Sequence, residues 1–171
     1  MDISNQRKEL IDISANNQNF SRSHFLSIMA ERAFVLLTTW EKSTDETERK
    51  FLENLITTYI DFKLTNDAIP IEKIPIGTID GIISKCRRET RTESVPVNPI
   101  MAEEFYQKIK KINKTHLCSI GTTITFLMNI CFNIDVVLAD CTDKEKEILQ
   151  KIKNSTVTPD GQIVPKRGLI V

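Results

Sequence analysis

Five glycines, two histidines and one tryptophan are all that 171 residues contain of those types, and each scarcity removes a chemistry. Gly77, Gly81, Gly121, Gly161 and Gly168 are too scattered to build a glycine-rich loop whose backbone amides would cradle phosphates. His24 and His116 are far apart, and Cys86, Cys118, Cys131 and Cys141 show no C-x-x-C spacing. A zinc site needs several such ligands converging, so no metal is expected. No Gly-x-Ser-x-Gly elbow nominates a nucleophile. No catalytic residue is assigned, no cofactor or small-molecule substrate is expected, and the chain reads as a non-enzyme.

Net charge is also lacking. The 23 basic and 23 acidic side chains leave no global field to draw the protein onto DNA or an anionic membrane. The start, Met-Asp-Ile-Ser, has neither the basic residues nor the apolar run of a secretion signal, so a cytoplasmic protein with reduced, packed thiols is expected. The spacing Lys111, Ile112, His116 departs at two positions from the arginine, polar residue and histidine of HEPN-type helical ribonucleases. That chemistry is not expected either.

What is present is one long uncharged run. Leu117 to Ile134 carries no charge and follows Lys108, Lys110, Lys111 and Lys114, a length at which a membrane span has to be weighed. Ser119, Thr122, Thr123, Thr125, Asn129 and Asn133 argue against it, because each polar group would need a partner in hydrocarbon. Leu117, Ile120, Ile124, Leu127, Met128, Cys131 and Ile134 recur at helical steps. The run therefore reads as the central helix of a bundle, with no integral membrane span.

The rest of the chain supplies partners for that helix. A short helix, peripheral or mobile, is expected over residues 3–14. Ser21 or Ser23 caps a second, with Phe25, Ile28, Met29, Leu36, Leu37 and Trp40 in register and Ala33 and Phe34 widening its apolar face. Ser43 and Glu46 suggest a capping box before Phe51, Leu52, Leu55, Ile56, Tyr59 and Ile60. The prolines at 70 and 75 predict an extended loop over 66–77. Thr78 caps a short helix carrying Ile82, Ile83 and Cys86, residues 90–97 read as a linker, and Asn98 with Pro99 opens another helix. Thr142 and Glu145 form a second capping box. Around Pro159-Asp160-Gly161 a hairpin is predicted. The fold class is all-α, a helical bundle of five to seven helices with a small C-terminal β-hairpin and extended tail, divided as 1–155 and 156–171. The alternative is an α+β or α/β domain with a strand at 134–141, read from Ile-Asp-Val-Val-Leu-Ala-Asp-Cys.

Two surfaces are candidates for function. Residues 85–115 hold eight basic and four acidic side chains, so Lys85, Arg87, Arg88, Arg91, Lys108, Lys110, Lys111 and Lys114 are candidate phosphate contacts of a nucleic-acid-binding regulator. Ile163, Val164, Leu169, Ile170 and Val171 are candidate contacts to a protein partner, itself or another chain. The expected role is a non-catalytic interaction or regulatory subunit of adaptor type. Nucleic-acid binding is the alternative and peripheral membrane attachment a third reading.

Overall fold

The computed structural model describes residues 2–62, 71–91, 94–96 and 103–166. The chain opens with β1 (Asp2–Ser4), and Ser4 starts α1 (Asn5–Asn17) by accepting the Arg7 amide on its hydroxyl. This first segment is not peripheral, because Ile3, Arg7, Leu10 and Ile11 are all buried. Ser21 caps α2 (Arg22–Lys42). α3 (Glu46–Thr57) begins differently from the sequence reading. Its cap is Asp45, whose carboxylate accepts the Thr47 and Glu48 amides, while the Ser43 hydroxyl donates to the Asp45 carbonyl. Aspartate caps as well as serine does, and its full negative charge also suits the positive helix end.

After Thr57 the helix stops, although the helical spacing continues to Ile60. β2 (Thr58–Phe62) and β3 (Ile71–Pro75) pair antiparallel, with Thr58 opposite Pro75 and Tyr59 opposite Ile74. The expected proline loop is thus a strand over its second half. Pro75 is tolerated because it ends the strand of a two-stranded pair, where a missing amide costs little. Thr78 accepts the Gly81 amide at the start of α4 (Ile79–Arg91). The expected linker holds β4 (Ser94–Pro96), which pairs with β1 in a register that sets Ile3 opposite position 95. α5 (Glu103–His116) follows, and the predicted Asn98-Pro99 start lies outside the described residues.

Ser119 caps α6 (Ile120–Val137), which runs into a 3-10 turn at Leu138–Asp140. No strand exists at 134–141, which removes the α/β alternative. α7 (Asp143–Lys153) carries the predicted Thr142–Glu145 capping box. β5 (Ser155–Val157) and β6 (Ile163–Pro165) form the C-terminal hairpin, turned at Gly161 with φ 86°. Seven α-helices among the described residues, with short antiparallel strand pairs, make a helical bundle with a β-hairpin at its end.

α6 is the axis of the bundle. Every residue from Gly121 to Asn133 is buried, so both of its faces are covered and not one stripe alone. It is the one described helix long and apolar enough to cross a membrane, and 72% of it is buried inside the protein. Its polar residues have local or tertiary partners. Thr125 donates to the Gly121 carbonyl at 2.8 Å, and Thr123 donates to the Asn113 side chain. Leu117, expected on the inward stripe, lies outside the helix at φ 51° and is 86% exposed.

Asn129 and Asn133, one turn apart, explain why β2 forms. Asn133 donates to the Leu55 and Thr58 carbonyls, at 2.8 and 2.6 Å. Asn129 donates to the Thr58 carbonyl and accepts the Ile60 amide, both at 2.8 Å. Arg7 Nη2 donates to the Ile60 carbonyl at 2.9 Å. Three side chains therefore satisfy the backbone groups that a third strand would otherwise have to pair. A buried polar stripe on α6 specifies where α3 ends.

A candidate docking groove between α2, α5 and the hairpin

Among the described residues a groove of 770 Å³ has α2 and α5 as its walls and is closed at its end by the β5–β6 turn. α2 contributes Phe34, Leu37, Thr38, Glu41 and Lys42, a single helical face by their three- and four-residue steps. From α5 come Gln107, Lys108, Lys111, Ile112, Thr115 and His116, again one face. Phe34 is buried, and Leu37 and Ile112 are partly buried against the core. With Val157 they make an apolar floor.

Two lysines fasten the hairpin across the end of the groove. Lys42 Nζ donates to the Gly161 carbonyl at 2.6 Å from the α2 side. Lys108 Nζ donates to the Val157 carbonyl at 3.2 Å from the α5 side, with its ammonium 5.5 Å from the centre of the Phe34 ring. The walls differ in charge. Between Lys108 and His116, α5 carries four lysines and no acid. The α2 and hairpin side is mixed, with Glu41 and Asp160 beside Lys42.

The predicted phosphate-binding cluster is not one surface. Lys85 and Arg88 line a polar cavity of 320 Å³ with Ser4, Tyr59, Asp61 and Glu89. Arg87 and Arg91 line a separate cleft at the start of α6, where Arg87 Nη2 donates to the carbonyls of His116 and Leu117 at 3.4 and 3.3 Å. Lys108 and Lys111 belong to the groove, and Lys110 and Lys114 are exposed on the same helix. Stacking faces are few, since the Lys85 ammonium covers the Tyr59 ring at 5.4 Å and Lys110 covers Tyr106 at 4.6 Å.

The cavity beside Lys85 is built around a carboxylate that is already fully engaged. Glu89 accepts from Arg7 Nε at 3.0 and 3.1 Å, from the Tyr59 hydroxyl at 2.6 Å and from the Ser4 hydroxyl at 3.3 Å. Burial, reinforced by the Glu89 charge, pushes the Tyr59 hydroxyl well above its ordinary range, so it remains a donor. These contacts tie α1 to α4 and β2. The four cysteines are unpaired, with Cys86 and Cys131 buried. Among the described residues no three His, Cys, Asp or Glu side chains converge as a metal site would require.

Of the predicted partner contacts, Ile163 packs against the core and Val164 is half-buried, while Leu169, Ile170 and Val171 lie outside the described residues. Sequence reasoning missed Phe34, Leu37 and Ile112 as a lining because apolar residues at helical spacing read as core. The signal was the width of the α2 apolar arc, broader than contact with one neighbouring helix uses. No family model, curated protein or solved structure matches this chain.

Proposed function

We propose that this domain is a non-catalytic interaction module, adaptor-like or regulatory, that receives a segment of a protein partner in the groove between α2, α5 and the hairpin. The observation that supports this is a 770 Å³ groove with an apolar floor held open by helices on two sides and a tethered turn at its end. Concave apolar surface with polar edges is the form in which helical domains accept partner segments. A flat bilayer does not reach a recessed floor. The large exposed apolar residues Ile13, Ile71, Leu117 and Leu138 are on separate elements and none lines the groove. A nucleic-acid surface is less well supported, because the eight cations are divided among separate cavities and α5.

The test is selection of phage-displayed random peptides on the full chain, followed by rebinding to Thr38→Trp. Thr38 is a half-buried groove residue outside the buried core, so a tryptophan there fills the cleft. Enriched peptides should lose at least about tenfold in affinity on this variant, a change of ~1.4 kcal/mol. No enrichment, or peptides indifferent to Thr38→Trp, would refute the proposal.

A further inference from the structure

The charge of the α5 wall says what the occupant is. Resting on the docking reading above, we infer that the groove takes an acidic amphipathic helix, apolar side down on Leu37 and Ile112, acidic edge along α5. Three observations carry this. The walls are helices whose backbone groups are satisfied within themselves, so an added strand would find no row of free amides and carbonyls to pair with. A helix brings its own backbone bonds and offers only side chains, which is what the two walls accept. The floor then calls for apolar residues at three- and four-residue steps.

The second observation is the one-sided charge. Lys111 faces the groove, Lys114 is exposed further along α5, and no acid interrupts that helix from Lys108 onward. A basic edge laid along α5 would meet Lys108 and Lys111, where like charges repel, while the opposite side, with Glu41 and Asp160 beside Lys42, is mixed in sign. An acidic one gains at each step. The third is the position of the cations. Lys111 and Lys114 are exposed along α5 while Leu37 and Ile112 are half-buried, and Lys108 alone reaches inward over the Phe34 ring, so an occupant needs acids at its edge and not at its centre. A single-stranded nucleic acid inverts that order, presenting phosphates outside and requiring aromatic faces beneath. Phe34, the one aromatic ring in the floor, lies under the Lys108 ammonium.

The test uses two fluorescein-labelled peptides of about 16 residues with identical leucines on one helical face, one with glutamate and one with lysine elsewhere. Anisotropy is read with the full chain at low and high salt. The glutamate peptide should bind at least about tenfold more tightly than the lysine peptide, with the gap narrowing as salt rises. Lys111→Glu with Lys114→Glu should remove or reverse the preference, and because both lysines are exposed the fold should be kept. Equal binding of both peptides, each lost on Thr38→Trp, would overturn the acidic-helix inference while leaving the docking groove standing. Binding of neither peptide, with no groove-dependent peptide from selection, would overturn both. Competition of the glutamate peptide by a single-stranded oligonucleotide or by phosphatidylserine vesicles, lost on the double lysine variant, would assign the wall to those ligands and also overturn it.

Discussion

Arg7 and Glu89, 82 residues apart, meet in a bifurcated contact, the one Nε lying 3.0 and 3.1 Å from the two carboxylate oxygens. The Arg7 side chain is 1% exposed and that of Glu89 16%. Through them the first helix is joined to α4, and through Ile60 and Asn129 to β2 and α6. Removing one partner leaves a buried charge, so Glu89→Ala should lower unfolding free energy by about 3–5 kcal/mol in urea titration. Arg7→Met with Glu89→Leu should cost much less than the sum of the single changes. Additive losses would show that the two side chains stabilise the fold independently.

Asn129 supplies the partner for the Ile60 amide. Asn129→Leu leaves that buried donor unmatched and should destabilise by about 1–3 kcal/mol. Amide hydrogen exchange at Ile60 should accelerate more than exchange in α2. Unchanged protection at Ile60 would mean that β2 does not depend on this side chain.

Leu117 is held in the left-handed region at φ 51° while 86% exposed, its carbonyl gripped by Arg87. A non-glycine side chain gains nothing there and crowds its own carbonyl, so Leu117→Gly should stabilise the fold by about 0.5–1 kcal/mol once the greater freedom of the unfolded glycine is subtracted. Leu117→Val should do the opposite. Thermal unfolding of both variants reads the signs directly.

Burial pushes the thiols of Cys86 and Cys131 up to about 12. Cys131 also donates to the Met29 carbonyl at 2.8 Å, which holds its proton. A folded-state value above the unfolded one, about 8.5, means that the folded state keeps protons the unfolded state releases. The stabilisation is complete below about pH 8.5 and is lost progressively as pH rises toward 12. Urea midpoints should therefore fall through the alkaline range, and less steeply in Cys86→Ala with Cys131→Ala. In the native state at neutral pH, iodoacetamide should label Cys118 and Cys141, which are partly exposed, ahead of the other two.

Local signals in the sequence located most helices. Ser21, Thr78 and Thr142 mark their starts through side-chain oxygens that accept amides three residues on, chemistry confined to a few neighbouring residues. The central helix was legible too, by its lack of charge. What ends α3 is not local. Leu55, Ile56, Tyr59 and Ile60 keep helical spacing, and the strand is imposed by amides of Asn129 and Asn133 that arrive from a distant segment. Arg7 was equally hidden, since an arginine in a polar stretch reads as exposed until its partner at position 89 is known. The lysines of α5 were visible, but as one patch with those of α4. Packing divides them, and only then does the apolar floor beside Lys108 and Lys111 become a groove.

The most direct measurement is a titration of the isotopically labelled protein with the glutamate peptide, following each backbone amide by NMR. The account predicts that shifts concentrate along Leu37–Lys42, Gln107–His116 and Val157–Gly161, and that they vanish in Thr38→Trp. Shifts centred instead on Arg87, Arg91 and Ser119, or unaltered by the tryptophan, would contradict it.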